Sequence, residues 1–168
     1  MEFLGELNER KIYYLSIREK SGWATLLPPD NWAVFTIVDE DDRDMLGEAT
    51  EAILDNNVRY TCSAGELCSL TEDYFDEEIA IREVRFESQT GKEADFSMSP
   101  LTTMHRNFSD GFWYVVNCAI NDLVQIDKIV CLDFTKRKTK KYLGTLIDKM
   151  SNGWVPNDDE IEPPQYDN

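Results

Sequence analysis

The sequence predicts an α/β three-layer sandwich, with a mostly parallel central sheet flanked by helices. Three observations carry this. The run WAVFTIVDE (residues 32–40) is almost continuously apolar before its final acids, as a strand covered on both faces is, and IDKIVCLDFT (126–135) reads as a second buried strand. Other segments repeat apolar residues at three- and four-residue steps, the spacing of a helix with one buried face. Strand-like and helix-like segments alternate along the chain, the pattern of βαβ units.

Each element has its own reason. IYYLSIR (12–18) is rich in β-branched and aromatic residues and reads as the first strand. The loop after it is stopped by Pro28 and Pro29. The 32–40 run follows and belongs at the sheet centre. Residues 43–56 form a helix with Met45, Leu46, Ala49, Ala52 and Ile53 on one face. Asp42 or Asp44 caps its start, and Asn56 and Asn57 offer a left-handed stop. VRYTCSA (58–64) is the next strand, completing a βαβ unit. ELCSLTEDYFDEEIA (66–80) holds a short helix over Thr71–Ala80, with Tyr74 and Phe75 partly buried. IREVRFES (81–88) alternates imperfectly and fits either a strand or a helix end. Gln89–Glu93 turns around Gly91, and a short strand broken at Pro100 follows. Ser109 or Asn107 caps a helix over Asp110–Asp122, with Phe112, Trp113, Val116, Ala119 and Ile120 as its apolar face. After the second central strand, Tyr142, Leu143, Leu146, Ile147 and Met150 mark a last helix, ended by Gly153. Residues 1–153 make one domain, and 154–168 an acidic, proline-containing tail expected to be extended or mobile.

Composition narrows the function. The 168 residues suit one core, and 42% hydrophobic with 30% charged suits a folded, soluble chain. No apolar run is long enough to span a bilayer. The start, MEFLGELNER, lacks the basic and apolar regions of a secretory signal, so the cytoplasm is the expected location. Thirty-three acids against 17 bases give a net charge of −16. That argues against nucleic acid and anionic membranes as partners. A monomer is the expected state when free. Cys62, Cys68, Cys118 and Cys131 contain no C-x-x-C pair and read as buried thiols. His105 is the only histidine. No motif identifies a reaction, so the chain reads as a binding protein rather than an enzyme, with no cofactor and no metal.

The acids are clustered, as DEDDRD (39–44), EDYFDEE (72–78) and DDEIE (158–162). A negative surface steers a cationic partner in and rejects wrong ones. The candidate contacts are Glu72, Asp73, Asp76, Glu77 and Glu78, then Asp39, Asp41 and Asp42. Tyr74 and Phe75 are candidate anchors, since aromatics ringed by charge suit a hot spot. The basic run KRKTKK (136–141) reads as a solvated helix start held by nearby acids.

In size, acidity and domain type the chain resembles the immunity proteins of bacterial contact-dependent and other polymorphic toxin systems. From Trp32 to Phe134 it is also similar in pattern to a small bacterial α/β domain with no activity attached. WAVFTIV, VRYTCSAG, LTTMHRNFSDGFWYVVNCA and KIVCLDF carry that likeness. The first resemblance implies a protein that binds a cognate basic toxin, a nuclease domain, and covers or distorts its active site. Two enzyme readings compete. Asp39, Asp41, Asp42 and Asp133 lie at strand ends and could hold Mg²⁺ for a phosphoacceptor or hydrolase. In this the chain resembles receiver domains, but it lacks a phosphate-binding lysine after a final strand. Alternatively, Cys62 and His105 could form a nucleophile–base pair.

Overall fold

The computed structural model describes residues 1–157 apart from 20, 96, 98 and 138. Six strands form one sheet: β1 (Glu2–Leu7), β2 (Arg10–Ser16), β3 (Trp32–Ile37), β4 (Tyr60–Ala64), β5 (Leu101–His105) and β6 (Lys128–Asp133). Their spatial order is β1-β2-β6-β3-β4-β5. All neighbours are parallel except β1 and β2. The two apolar runs, β3 and β6, sit side by side at the centre, as their composition requires. Four helices cover the sheet: α1 (Leu46–Asp55), α2 (Cys68–Thr90), α3 (Phe108–Cys118) and α4 (Lys140–Ser151).

Alternation along the central strands sorts the core into two halves. Ala33, Phe35 and Ile37 of β3, with Ile129 and Cys131 of β6, pack beneath Phe108, Phe112, Leu143 and Leu146 of α3 and α4. Trp32, Val34, Val130 and Leu132 face the other way, against Leu46, Ala49, Ile53 and Phe75 of α1 and α2. A period-2 strand with both faces covered gives this result.

Two glycines allow close approaches. Gly65, at φ +103°, lies where a Cβ would sit 2.3 Å from the Val38 carbonyl oxygen. It closes the β4–α2 turn so that the Leu67 N–H reaches the same carbonyl at 3.2 Å. A Cβ on Gly111 would fall 3.0 Å from His105 Cβ and 3.2 Å from Phe35, so α3 lies tight on the sheet. The Arg10 guanidinium closes the far end of α3 by donating to the Val115, Val116 and Ala119 carbonyls.

Two expectations need correction, and two segments at the ends of the chain add to the sequence reading. The N-terminal segment, unassigned from the sequence, pairs with β2 through a turn in which Asn8 and Glu9 both have positive φ. That is the backbone of a tight hairpin turn. Residues 40–45 form a 3-10 turn leading into α1, and it is the Asp39 N–H that donates to the Asp42 carboxylate, at 3.0 Å. The short helix over 71–80 and the ambiguous 81–88 stretch are one 23-residue helix, ended by Gly91 in the left-handed region. The tail does not leave the body at 154. The Trp154 N–H bonds the Lys149 carbonyl, its ring packs on the core, and Lys149 lies over it at 5.1 Å. Residues 158–168, with the DDEIE cluster, lie outside the described residues.

α3 ends at Cys118 rather than Asp122, leaving Ile120 exposed beyond it, while the remaining caps follow the sequence. Asn107 accepts from the Asp110 N–H to start α3, and Asn57 and Gly153 take positive φ after α1 and α4.

Candidate functional site

β3 and β6 are neighbours whose outgoing connections diverge. The chain leaving β3 turns to α1 on one face, and the chain leaving β6 turns to α4 on the other. Such a divergence opens a crevice beyond the strand ends, where ligands gather in open α/β sheets. Here it is a cleft of about 210 Å³ lined by Asp39, Glu40, Asp41, Asp42, Glu66, Lys136 and Arg137.

The carboxylates of this cleft are already engaged by the chain's own donors. Asp42 is buried and paired with Arg18, whose Nε donates to the Phe134 carbonyl at 2.6 Å. Asp39 is 7% exposed and pairs with Arg137 at 3.1 Å. Burial raises its pKa to about 6, with Arg137 pulling the other way and Glu66, Asp42 and Asp133 adding to the rise. Asp41 is exposed and meets Lys136 at 3.1 Å. Lys140, at the start of α4, meets Glu2 at 2.5 Å. Arg137 also lies 3.9 Å from Glu66, so the basic run is stitched to acids from three other segments.

Asp133 ends β6 fully buried. Its Oδ1 accepts from the Thr135 N–H (2.8 Å) and hydroxyl (2.7 Å). Its Oδ2 accepts from the Tyr14 hydroxyl (2.8 Å) and the Thr139 hydroxyl (2.5 Å). Four donors use the lone pairs a cation would need. Burial still raises its pKa, against the pull of those bonds. Among the described residues, no three histidine, cysteine, aspartate or glutamate side chains are placed to hold a metal ion. Asp39, Asp42 and Asp133 therefore act as locks between strand ends and helix starts.

Burial weighs on the thiol of the thiol–imidazole pairing. Cys62 is buried, its Sγ 3.4 Å from the Gly111 carbonyl oxygen, and burial pushes its pKa up to about 12. A nucleophilic thiol needs the opposite shift. His105 holds Asp110 through Nδ1 at 2.6 Å and packs against Tyr114 with ring centroids 4.7 Å apart and the planes tilted by 41°.

The 72–78 run lies on α2, and the helix divides it. Phe75 is fully buried in the core under α1 and α2, so it is not an anchor for a partner. Tyr74 is half-buried and packs on the same core. Asp73, Asp76 and Glu77 are exposed. Asp76 accepts from the Thr102 hydroxyl at 2.6 Å, tying the helix to β5. Glu72 is half-buried; burial, then Asp76 and Asp73, raise its pKa while His105 lowers it. Glu78 is half-buried against Arg82 at 2.9 Å, and Arg82 also reaches Asp55 at 2.9 Å, clamping α2 to α1. Of the expected contacts, Asp41, Asp73, Asp76 and Glu77 remain on an open surface. Asp39 and Asp42 do not.

Sequence reasoning missed how the fold sorts the charge. Residues 39–90, which supply α1, α2 and the strand between them, hold sixteen acids and four bases, a net of −12. Residues 106–157, which supply α3, β6 and α4, hold five acids and eight bases, a net of +3. The helices of these two segments cover opposite faces of the sheet, so one helical layer is strongly acidic and the other is not. Asp44, Glu48, Glu51 and Asp55 add exposed carboxylates beside those of α2. The contrast is legible in the sequence once the segments are assigned to faces.

A family model for a domain of unknown function, DUF7684, matches residues 12–150. The chain belongs to the DUF7684 family. The DUF7684 match starts inside β2 and ends inside α4, so it contains the whole acidic layer and the strand-end cleft. β1 lies outside it. No curated protein and no solved structure matches this DUF7684 chain. Among its described residues, no helix is long and apolar enough to cross a membrane.

Proposed function

We propose that this protein is a docking module, an immunity protein whose acidic helical layer binds and neutralises a cognate basic toxin of the nuclease type. The observation that carries the reading is the one-sided charge: α1 and α2 hold ten acids and two bases, a net of −8, whereas α3 and α4 hold two acids and three bases, a net of +1. A nuclease must hold phosphates in a cationic groove. A protein that blocks such a groove needs a fixed, one-sided anionic surface, which also speeds association. The cleft carboxylates Asp39 and Asp42 pair with Arg137 and Arg18 of the same chain, which favours docking over the Mg²⁺ reading. The inhibitor acts in the cytoplasm, where a nuclease would do its damage. Its net charge of −16 keeps free copies apart as monomers.

The test is co-expression with a basic nuclease toxin domain, taken from a neighbouring reading frame where one encodes such a domain. Protection of the cell, and a complex whose affinity falls as salt is raised, are expected. A complex indifferent to salt, or no protection at all, overturns the reading.

A further inference from the structure

The outward face of α2 carries more than acid. At about 1.5 Å per residue, a helix of 23 residues runs roughly 35 Å. The five-residue strands beneath it span roughly 17 Å. Its second half therefore overhangs the sheet. On that half Ile81 is 41% and Val84 65% exposed, and the small Ala80 is exposed beside them. Ile81 and Val84 are three residues apart and share a face, and Ala80 and Val84 are four apart. Asp73 and Glu77 flank this apolar centre on one side and Glu87 on the other, all exposed. An apolar centre inside a charged rim is the anatomy of a binding hot spot.

Resting on the reading above, we propose that this ridge, from Asp73 to Glu87, seats a basic amphipathic helix of the partner protein. The partner's apolar stripe would pack on Ala80, Ile81 and Val84, and its lysines or arginines would reach the flanking carboxylates. Charge selects the occupant. A second copy brings −16 overall, and its less acidic helices α3 and α4 keep their apolar faces in the core, so it offers no cationic amphipathic face; the chain's own C-terminal sequence brings the DDEIE run. A cationic helix is attracted, and helix-on-helix seating uses the spacing the ridge offers.

The test titrates the full ¹⁵N-labelled chain with a synthetic helical peptide of lysine and leucine, at low salt. Amide shifts should cluster on Asp73–Ser88. The double variant Ile81→Ser, Val84→Ser, at exposed positions that leave the core intact, should bind at least about tenfold more weakly. Glu48→Gln with Glu51→Gln on α1 should stay within about twofold of wild type. If the double serine variant binds like wild type, charge alone holds the peptide and the ridge is refuted. If the shifts gather on α1, the acidic layer stands as a docking face but α2 does not. Shifts confined to α3 and α4 overturn both.

Discussion

Removing the Asp133 carboxylate separates a structural lock from a catalytic acid. In Asp133→Ala, four donors lose their acceptor at once. Two have a substitute. The Thr135 hydroxyl still reaches the Arg137 carbonyl at 3.2 Å, and the half-buried Tyr14 hydroxyl can turn to water. The Thr135 N–H and the Thr139 hydroxyl are buried and have no such relief. A stranded buried group costs about 1–3 kcal/mol, so the alanine variant should lose about 3–4 kcal/mol. Against a total stability of about 5–15 kcal/mol the protein still folds. Asp133→Asn keeps one oxygen for Thr135, and the Tyr14 and Thr139 hydroxyls can rotate to accept from its amide. It also removes a buried charge, so it should cost no more than about 1 kcal/mol. Urea unfolding at pH 7 measures both. An asparagine variant as unstable as the alanine one would refute the reasoning, because the charge itself would then matter. So would millimolar Mg²⁺ raising the melting temperature of wild type but not of Asp133→Asn.

Three further predictions follow from buried groups. Phe75→Ala should cost about 3–5 kcal/mol of stability, while the folded fraction keeps its affinity for the lysine–leucine peptide. A small stability loss with a large affinity loss would make Phe75 an anchor after all. Asp39 has a raised folded-state pKa, so its ionisation opposes folding. Between its ordinary value near pH 4 and about pH 6, wild type should lose on the order of 2 kcal/mol that Asp39→Asn does not lose, read as diverging urea midpoints. Below pH 4 the carboxyl is protonated in both states and adds no difference; a wild type that instead loses stability relative to Asp39→Asn as pH falls through about 4 would mean the Arg137 pair dominates. Iodoacetamide at neutral pH should label Cys118, the only partly exposed thiol among the four, and leave Cys62 untouched until unfolding. Rapid native labelling of Cys62, located by peptide mass mapping, would contradict its burial.

Elements whose burial is uniform along their length could be read from the sequence. β3 and β6 are apolar on both faces because helices cover both, and α3 and α4 each keep one apolar face. α2 could not be read as one helix, because it lies on the sheet only in its first half. Phe75 obeys the buried stripe, whereas Ile81, Val84 and Phe86 are exposed past the sheet edge and break the period. The hairpin at Asn8–Glu9 lacks the glycine that usually marks such a turn. The candidate site suffered from a different gap. Asp39 and Asp42 look like exposed acids in sequence, but Arg18 and Arg137, far away along the chain, fold over them. Sequence spacing carries no trace of that pairing.

A docking face requires that the charge be one-sided in solution. Amide relaxation of the ¹⁵N-labelled chain in the presence of a cationic and then an anionic nitroxide measures this residue by residue. The cationic probe should relax amides near Glu48, Asp73 and Glu77 far more than the anionic one, with the preference lost or reversed along α3 and α4. An equal preference for the cationic probe on both helical layers would contradict it, leaving the carboxylates as an even coat.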